Sequence, residues 1–167
     1  VKPCVDVDLL STGQRAAEHS RLRAVRTLYE ASQVIFSARD RDGVAERVVR
    51  VAKSTMNADT TSLMLPDDHG RLYIAHSIGL PKGMTIEESS QSGERISGRV
   101  ARERAPLVLH DADGRSSIVH PLLSANRLVG VLNLSRRPGT RPFRQGDLHY
   151  VGILAAQIVL EGALAGA

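Results

Sequence analysis

Aromatic side chains are nearly missing from this sequence: it has two Phe, three Tyr and no Trp in 167 residues. Any core must therefore be built from Val, Leu, Ile and Ala. The lone cysteine, Cys4, excludes an intramolecular disulfide and a cysteine zinc cluster, and it fits a reducing cytoplasm. No apolar run approaches the roughly 18 residues that span a bilayer, so no membrane partner is expected. Lysine is scarce, with three residues against nineteen arginines, and the formal charge is +4. Such an excess would suit nucleic acid, but the arginines are scattered among acidic neighbours. No helix-turn-helix, zinc finger or RNA-binding signature accompanies them, so they read as a solvated surface and no nucleic-acid partner is expected. Catalytic signatures are missing too: there is no Gly-x-Ser-x-Gly, no P-loop and no His-Glu-x-x-His. Asp111 and Asp113 flank a glycine turn rather than forming a catalytic pair. No catalytic residue, no metal ligand and no cofactor is assigned, and the chain reads as a non-enzyme.

What is present is periodicity. The length suits one domain with an appended helix. From Gly13 to Ala38, apolar residues Leu22, Val25, Leu28 and Ile35 recur at helical spacing. Asp40-Arg41-Asp42-Gly43 breaks that pattern and offers N-cap carboxylates. A second helix follows from Val44 to Met56, with Val44, Val48, Val51 and Ala52 on one face. Thr60 to Leu65 is β-prone, and Pro66 to Gly70 is a turn. Beyond it Leu72, Ile74, His76 and Ile78 alternate with Tyr73, Ala75 and Ser77, the period of a half-buried strand. Gly79 to Gly93 is a long polar loop, Glu94 to Arg104 a short helix and Pro106 to Leu109 a short strand. A second hairpin joins Ser116–Leu123 to Leu128–Leu134 through Ala125-Asn126. The final helix places Leu148, Val151, Leu154, Ala155 and Ile158 on one face. This order predicts an α+β architecture, an antiparallel sheet with helices grouped on one side.

Several segments together resemble the GAF domain, a sensing and dimerisation module of signalling proteins. They are Gly93-Glu94-Arg95-Ile96-Ser97-Gly98-Arg99-Val100-Ala101, Pro106-Leu107-Val108, Ser117-Ile118-Val119-His120-Pro121-Leu122, Leu128-Val129-Gly130-Val131-Leu132-Asn133-Leu134 and Phe143-x-x-x-Asp147. The resemblance covers Leu22 to Leu164. Gly130 reads as a strand position with no room for a side chain. Phe143 reads as a hydrophobic anchor at the start of the last helix, and Asp147 as a carboxylate in its first turn. Family members usually carry a longer stretch where this chain has only His110 to Arg115.

The resemblance implies a GAF-like sheet with the N- and C-terminal helices on one face. The long loop and short helix would then close a ligand pocket on the other. Ser62, Met64, Tyr73, Ala75, Ile96 and His120 are the candidate lining. The apolar stripes of the terminal helices (Leu22, Val25, Leu28, Ile35, Leu154 and Ile158) are the candidate surface for a homodimer. Of the Asn-Lys…Phe-x-x-x-Asp-Glu signature of cyclic-nucleotide binders, Asn133, Phe143 and Asp147 match, while Leu134 and Leu148 replace the lysine and the glutamate. A covalent bilin is unsupported because Cys4 lies outside the domain. His76, His110 and His120 are the candidates for a haem ligand, although strand histidines more often serve as hydrogen-bonding groups.

Val1-Lys2-Pro3, followed by Asp6-Val7-Asp8-Leu9-Leu10, resembles the end of a bacterial receiver domain. Lys2 matches the lysine that contacts the phosphorylated aspartate site in that family. The expected organisation is residues 1–12 as the end of a receiver, 13–38 as a connector and dimerisation helix, and 39–167 as the GAF domain. The expected function is a regulatory domain of a cytoplasmic bacterial response regulator, with an upstream histidine kinase as partner. The alternative is a small-molecule sensor of a sensor histidine kinase.

Overall fold

The structure, a computed structural model, describes residues 18, 19, 22, 23, 41–80 and 96–160. Helix α1 (Arg41–Met56) leads into strands β1 (Thr60–Pro66) and β2 (Leu72–Ile78). Residues 96–103 form a short helix, α2. Strands β3 (Leu107–His110), β4 (Ser116–Ser124) and β5 (Arg127–Arg136) follow, and α3 (Asp147–Leu160) ends the described chain. The five strands form one antiparallel sheet in the order β2-β1-β5-β4-β3. The α+β architecture expected from the sequence is the observed one.

Local chemistry sets the boundaries of these elements. Helix α1 ends because Asn57 turns left-handed, with φ of 48°. The amide of Ala58 then donates back to the carbonyl of Lys53 at 3.0 Å, closing a Schellman-type cap. The β1–β2 turn is organised by Asp67, whose Oδ1 accepts the amides of His69 and Arg71 at 2.9 and 2.8 Å. These bonds hold the Asp67 carboxyl below its usual pKa. Ala125 and Asn126, with φ of 46° and 65°, make the two-residue β4–β5 turn. The β3–β4 connection is tight: the amide of Asp111 donates to the carbonyl of Arg115, and that of Gly114 to the carbonyl of Asp111. That connection is the short stretch from His110 to Arg115.

The sheet carries helices on both faces. Helices α1 and α3 cover one face, with Val44, Ala45, Val48, Val49, Ala52, Met56, Val151, Leu154 and Ile158 buried against Leu63, Leu65, Ile118, Leu122, Leu132 and Leu134. Here the structure departs from the pattern in two ways. The α1 stripe is turned so that Val49 is fully buried and Val51 only partly. Arg41 to Gly43 belong to α1, so this helix begins before Val44. The other face holds a smaller cluster of Met64, Val100, Val119 and Val131 beneath α2. Gly130 is required where β1 and β5 pass: a Cβ there would lie 3.0 Å from the carbonyl oxygen of Met64 and 3.1 Å from Leu65 Cδ2.

One polar atom in the α1/α3 face is unspent. Thr61 is fully buried, and its Oγ1 has no hydrogen-bond partner among the described residues. Replacing the hydroxyl with a methyl group removes that desolvation cost and keeps the β-branched shape. Thr61→Val is expected to stabilise the fold by about 1 kcal/mol, read as a higher urea midpoint with unchanged slope.

Candidate functional site

Cross-strand partners share a face of a sheet, so register decides which side chains can meet under α2. Ser62 pairs with Asn133, and Asn133 with Val119. Ser135 pairs with Ser117, which pairs with Leu109. Met64 pairs with Val131 and with Ile74. Two polar rows therefore cross the sheet beside an apolar floor of Met64, Val119 and Val131. The polar groups bond to one another: Ser97 Oγ of α2 donates to Asn133 Oδ1 at 3.2 Å, and the hydroxyls of Ser117 and Ser135 are 2.8 Å apart. The other end of α2 is tied to the β4–β5 turn by Arg104, whose Nε donates to the carbonyl of Asn126 at 2.8 Å. Helix α2 thus runs from the polar rows at its start to the hairpin at its end.

Three expected lining residues, Ser62, Met64 and Ile96, lie on this face. Three do not. For Tyr73 and Ala75 a β-bulge is the reason, since one extra residue reverses the alternation beyond it; His120 lies on the other face by plain alternation with Val119. In β2 the register shifts opposite Leu63 and Met64, so Leu72 and Ile74 face α2 while His76 pairs with Leu63 on the α1 side. Ala75 packs in the α1/α3 core, and Tyr73 pairs with Leu65 on that same side and is exposed. In β4 the second shift falls between Leu122 and Leu123. His120, before it, pairs with Leu132 and faces α3, where a methyl group at Gly152 would stand 3.7 Å from its Nε2. Leu107, Leu109, Val119, Val131 and the serine rows escaped the sequence reading because small polar residues in strands carry little signal.

Two of the three candidate histidines make structural hydrogen bonds. His110 Nε2–H donates to the carbonyl of Phe143, and His120 Nδ1–H donates to the carbonyl of Pro121, both at 2.8 Å. Burial pushes the His120 pKa below its ordinary 6.5, with the Pro121 bond opposing. A depressed folded-state value means that the unfolded chain takes up the proton first. The stability held above pH 6.5 is lost as pH falls through the folded value. The urea midpoint of the protein should therefore drop more steeply as pH falls below 6.5 than that of His120→Gln.

The residues that matched the nucleotide signature separate in space. Asn133 reaches the α2 face. Phe143 is fully buried four residues before α3 begins, so it precedes the last helix rather than starting it. Its amide donates to Ser116 Oγ at 2.9 Å. Asp147 is buried, and its Oδ2 accepts the amide of Arg144 at 2.8 Å, half of a capping box at the helix start. Around Phe143 lies a residue that sequence reasoning missed. Arg136, only 6% exposed, spreads its guanidinium over the Phe143 ring at 4.0 Å. It donates from Nε to the carbonyl of Asn57 and from Nη1 to that of Arg141, both at 3.1 Å, and from Nη2 to the carbonyl of Met56. Burial lowers its pKa and Asp147 opposes that, but a guanidinium remains charged at neutral pH. None of the nineteen arginines is marked in the sequence for this role.

Of the candidate dimer residues, Leu154 and Ile158 are buried in the domain's own core. Leu22 is 61% exposed. Val25, Leu28, Ile35 and the receiver-like residues 1–12, including Lys2, lie outside the described residues, as do the long loop from residue 81 and the motif residues Gly93 to Arg95. No described helix is long and apolar enough to cross a membrane.

A five-stranded antiparallel sheet with two helices behind it and a short helix over a mixed polar and apolar face defines an α+β class of domain. The chain belongs to the GAF family, whose model matches residues 40–161. It is 27% identical over 146 residues to the Nif-specific regulatory protein of Herbaspirillum seropedicae, covering 77% of this chain and 27% of that protein. The chain thus spans about a quarter of that relative's length. Among solved structures, it is similar to the second GAF domain of DevS from Mycobacterium smegmatis at 27% identity and a TM-score of 0.62, covering 76% of this chain and 96% of that one. The GAF domain of an Acinetobacter phosphoenolpyruvate-protein phosphotransferase shares the fold at 19% identity and a TM-score of 0.67, covering 86% and 93% of the two chains.

Proposed function

We propose that this chain is a non-enzymatic regulatory domain of a bacterial signalling protein that relays a signal through helix-mediated dimerisation. The observation that carries this reading is the position of Arg23, whose guanidinium lies 5.1 Å from the centroid of the Tyr150 ring on α3, next to the exposed Leu22. This contact sets helical residues of the N-terminal segment beside the last helix. A second copy packing beside these residues would be coupled to the sheet through the last helix, which is packed on it. The similarity to a Nif-specific regulatory protein supports a role in regulation. The receiver-like residues 1–12 favour a cytoplasmic response regulator, in which phosphorylation by an upstream histidine kinase biases the packing of the helices. Such a relay requires two states of different free energy.

Leu22→Glu tests the reading. A carboxylate in an apolar helix contact costs several kcal/mol unless paired. The variant should sediment as a monomer with unchanged circular dichroism, while the parent chain sediments as a dimer. A folded variant that still dimerises places the interface elsewhere. A second reading, a small-molecule sensor of a histidine kinase, is favoured by the mixed face under α2. It is compatible with the first, since a ligand there would act on the same sheet.

A further inference from the structure

Strand β4 sets Ile118, His120 and Leu122 in one row beneath α3, since alternate residues of a strand share a face. The outer two are fully buried and belong to the core that holds Val151, Leu154 and Ile158 of α3. Among the described elements, α3 packs on β4 more than on any other. An ionisable imidazole thus occupies the middle of the strand that carries the last helix, between two aliphatic side chains. Opposite it stands Gly152, the one glycine of α3. A Cβ at Gly152 would lie 3.7 Å from His120 Nε2, an ordinary contact, so crowding does not demand glycine there. Glycine in a helix interior weakens the helix. A titrating group and a weak point of the helix therefore meet at the centre of one joint. The His120 hydrogen bond joins no two elements: Nδ1–H is given to the carbonyl of the next residue, Pro121. His110, by contrast, bonds across 33 positions to Phe143.

We infer that His120 and Gly152 form an acid-released latch, in which protonation of the imidazole favours lifting of α3 from β4. With Nδ1–H on Pro121, the neutral ring leaves Nε2 as an acceptor. Protonation makes Nε2 a second donor and gives the ring a charge. Helix backbone faces it at Gly152, and carbonyls inside a helix are committed to bonds along that helix. The charge is better hydrated once α3 moves away. The ionisable groups on the surrounding elements are His110 of β3, Arg127 and Arg136 of β5, and Asp147, His149 and Tyr150 of α3. Among the described residues, none of them hydrogen-bonds to His120. Burial, opposed by the Pro121 bond, favours the neutral ring in the closed state. The latch is therefore whole above pH 6.5 and weakens as pH falls toward the depressed closed-state value. It depends on neither a ligand nor a second copy.

Native-state hydrogen exchange of the whole 167-residue chain in low urea, read from nitrogen-15 correlation spectra, tests the latch. Rates are corrected for the intrinsic pH dependence of exchange. Amides of α3 should exchange through an opening whose urea slope is much smaller than that of α1 amides, which report global unfolding. This small-slope opening should become up to about tenfold more populated per pH unit below 6.5, the limit for one proton. In His120→Gln it should not respond to pH over that range. Gly152→Ala keeps the imidazole and should reduce the opening about fivefold at every pH, because alanine favours helix. If α3 amides carry the full urea slope at every pH, the helix opens only with the whole domain and the latch is overturned. It is overturned equally if the opening in His120→Gln keeps the pH response of the parent, or if Gly152→Ala leaves the opening unchanged.

Discussion

Arg136→Ala is expected to cost about 3 kcal/mol, because it leaves the buried Met56 carbonyl without a donor and removes charged hydrogen bonds worth about 1.5–3 kcal/mol. The side chain serves the carbonyls of Met56, Asn57 and Arg141 at once. The first of these belongs to the last turn of α1, where orphan acceptors must be satisfied from outside the helix. Domains of this size are held by about 5–15 kcal/mol, so the change should be visible as a large drop in the urea midpoint. Arg136→Lys should recover only part of the loss. An ammonium is a compact charge, whereas the guanidinium fork reaches three separate acceptors and lies flat on the Phe143 ring. If Arg136→Ala leaves the midpoint within error, the guanidinium is not what joins these segments.

Phe143→Ala should be similarly severe, at about 3–5 kcal/mol, the range for truncating a buried aromatic. Phe143 is fully buried, and its backbone is fixed by Ser116 and His110 from the adjoining strands. In a chain with two phenylalanines, aliphatic neighbours cannot swell to fill the hole. Phe143→Leu should cost less and leave the fold cooperative. The Arg136 and Phe143 substitutions should not add. The two side chains touch, so a double-mutant cycle is expected to give a coupling of about 0.5–3 kcal/mol. Equilibrium unfolding of the four proteins measures it, and strict additivity would mean that the ring and the guanidinium act independently.

The architecture was legible because periodicity is written residue by residue. Strand positions and the Ala125-Asn126 turn follow from alternation and turn chemistry, and Gly130 stands where close packing was expected. The face assignments were less legible. Two bulges, opposite Leu63/Met64 and between Leu122/Leu123, interrupt the alternation, and nothing in the residues at those points announces an extra one. The first moved Tyr73 and Ala75 to the α1/α3 side, whereas His120 lies there because it alternates with Val119 in an unbroken stretch of β4; Ser62 and Met64 stay beneath α2. The roles of Leu154 and Ile158 were ambiguous for a different reason. A hydrophobic stripe states that a face is buried, not whether sheet or second subunit buries it. Arg136 was invisible because a buried arginine defined by three distant carbonyls has no local pattern.

The contacts of Arg136 also bear on how such a module can be moved between proteins. Met56 ends the first described helix, and Arg141 precedes the last one, so a single side chain on β5 holds the entry and exit of the domain together. A recombination that brings in one flank with a new sheet would leave the guanidinium facing carbonyls at the wrong spacing. Inheritance of α1, β5 and the segment through Asp147 as one block is the exchange that preserves the joint.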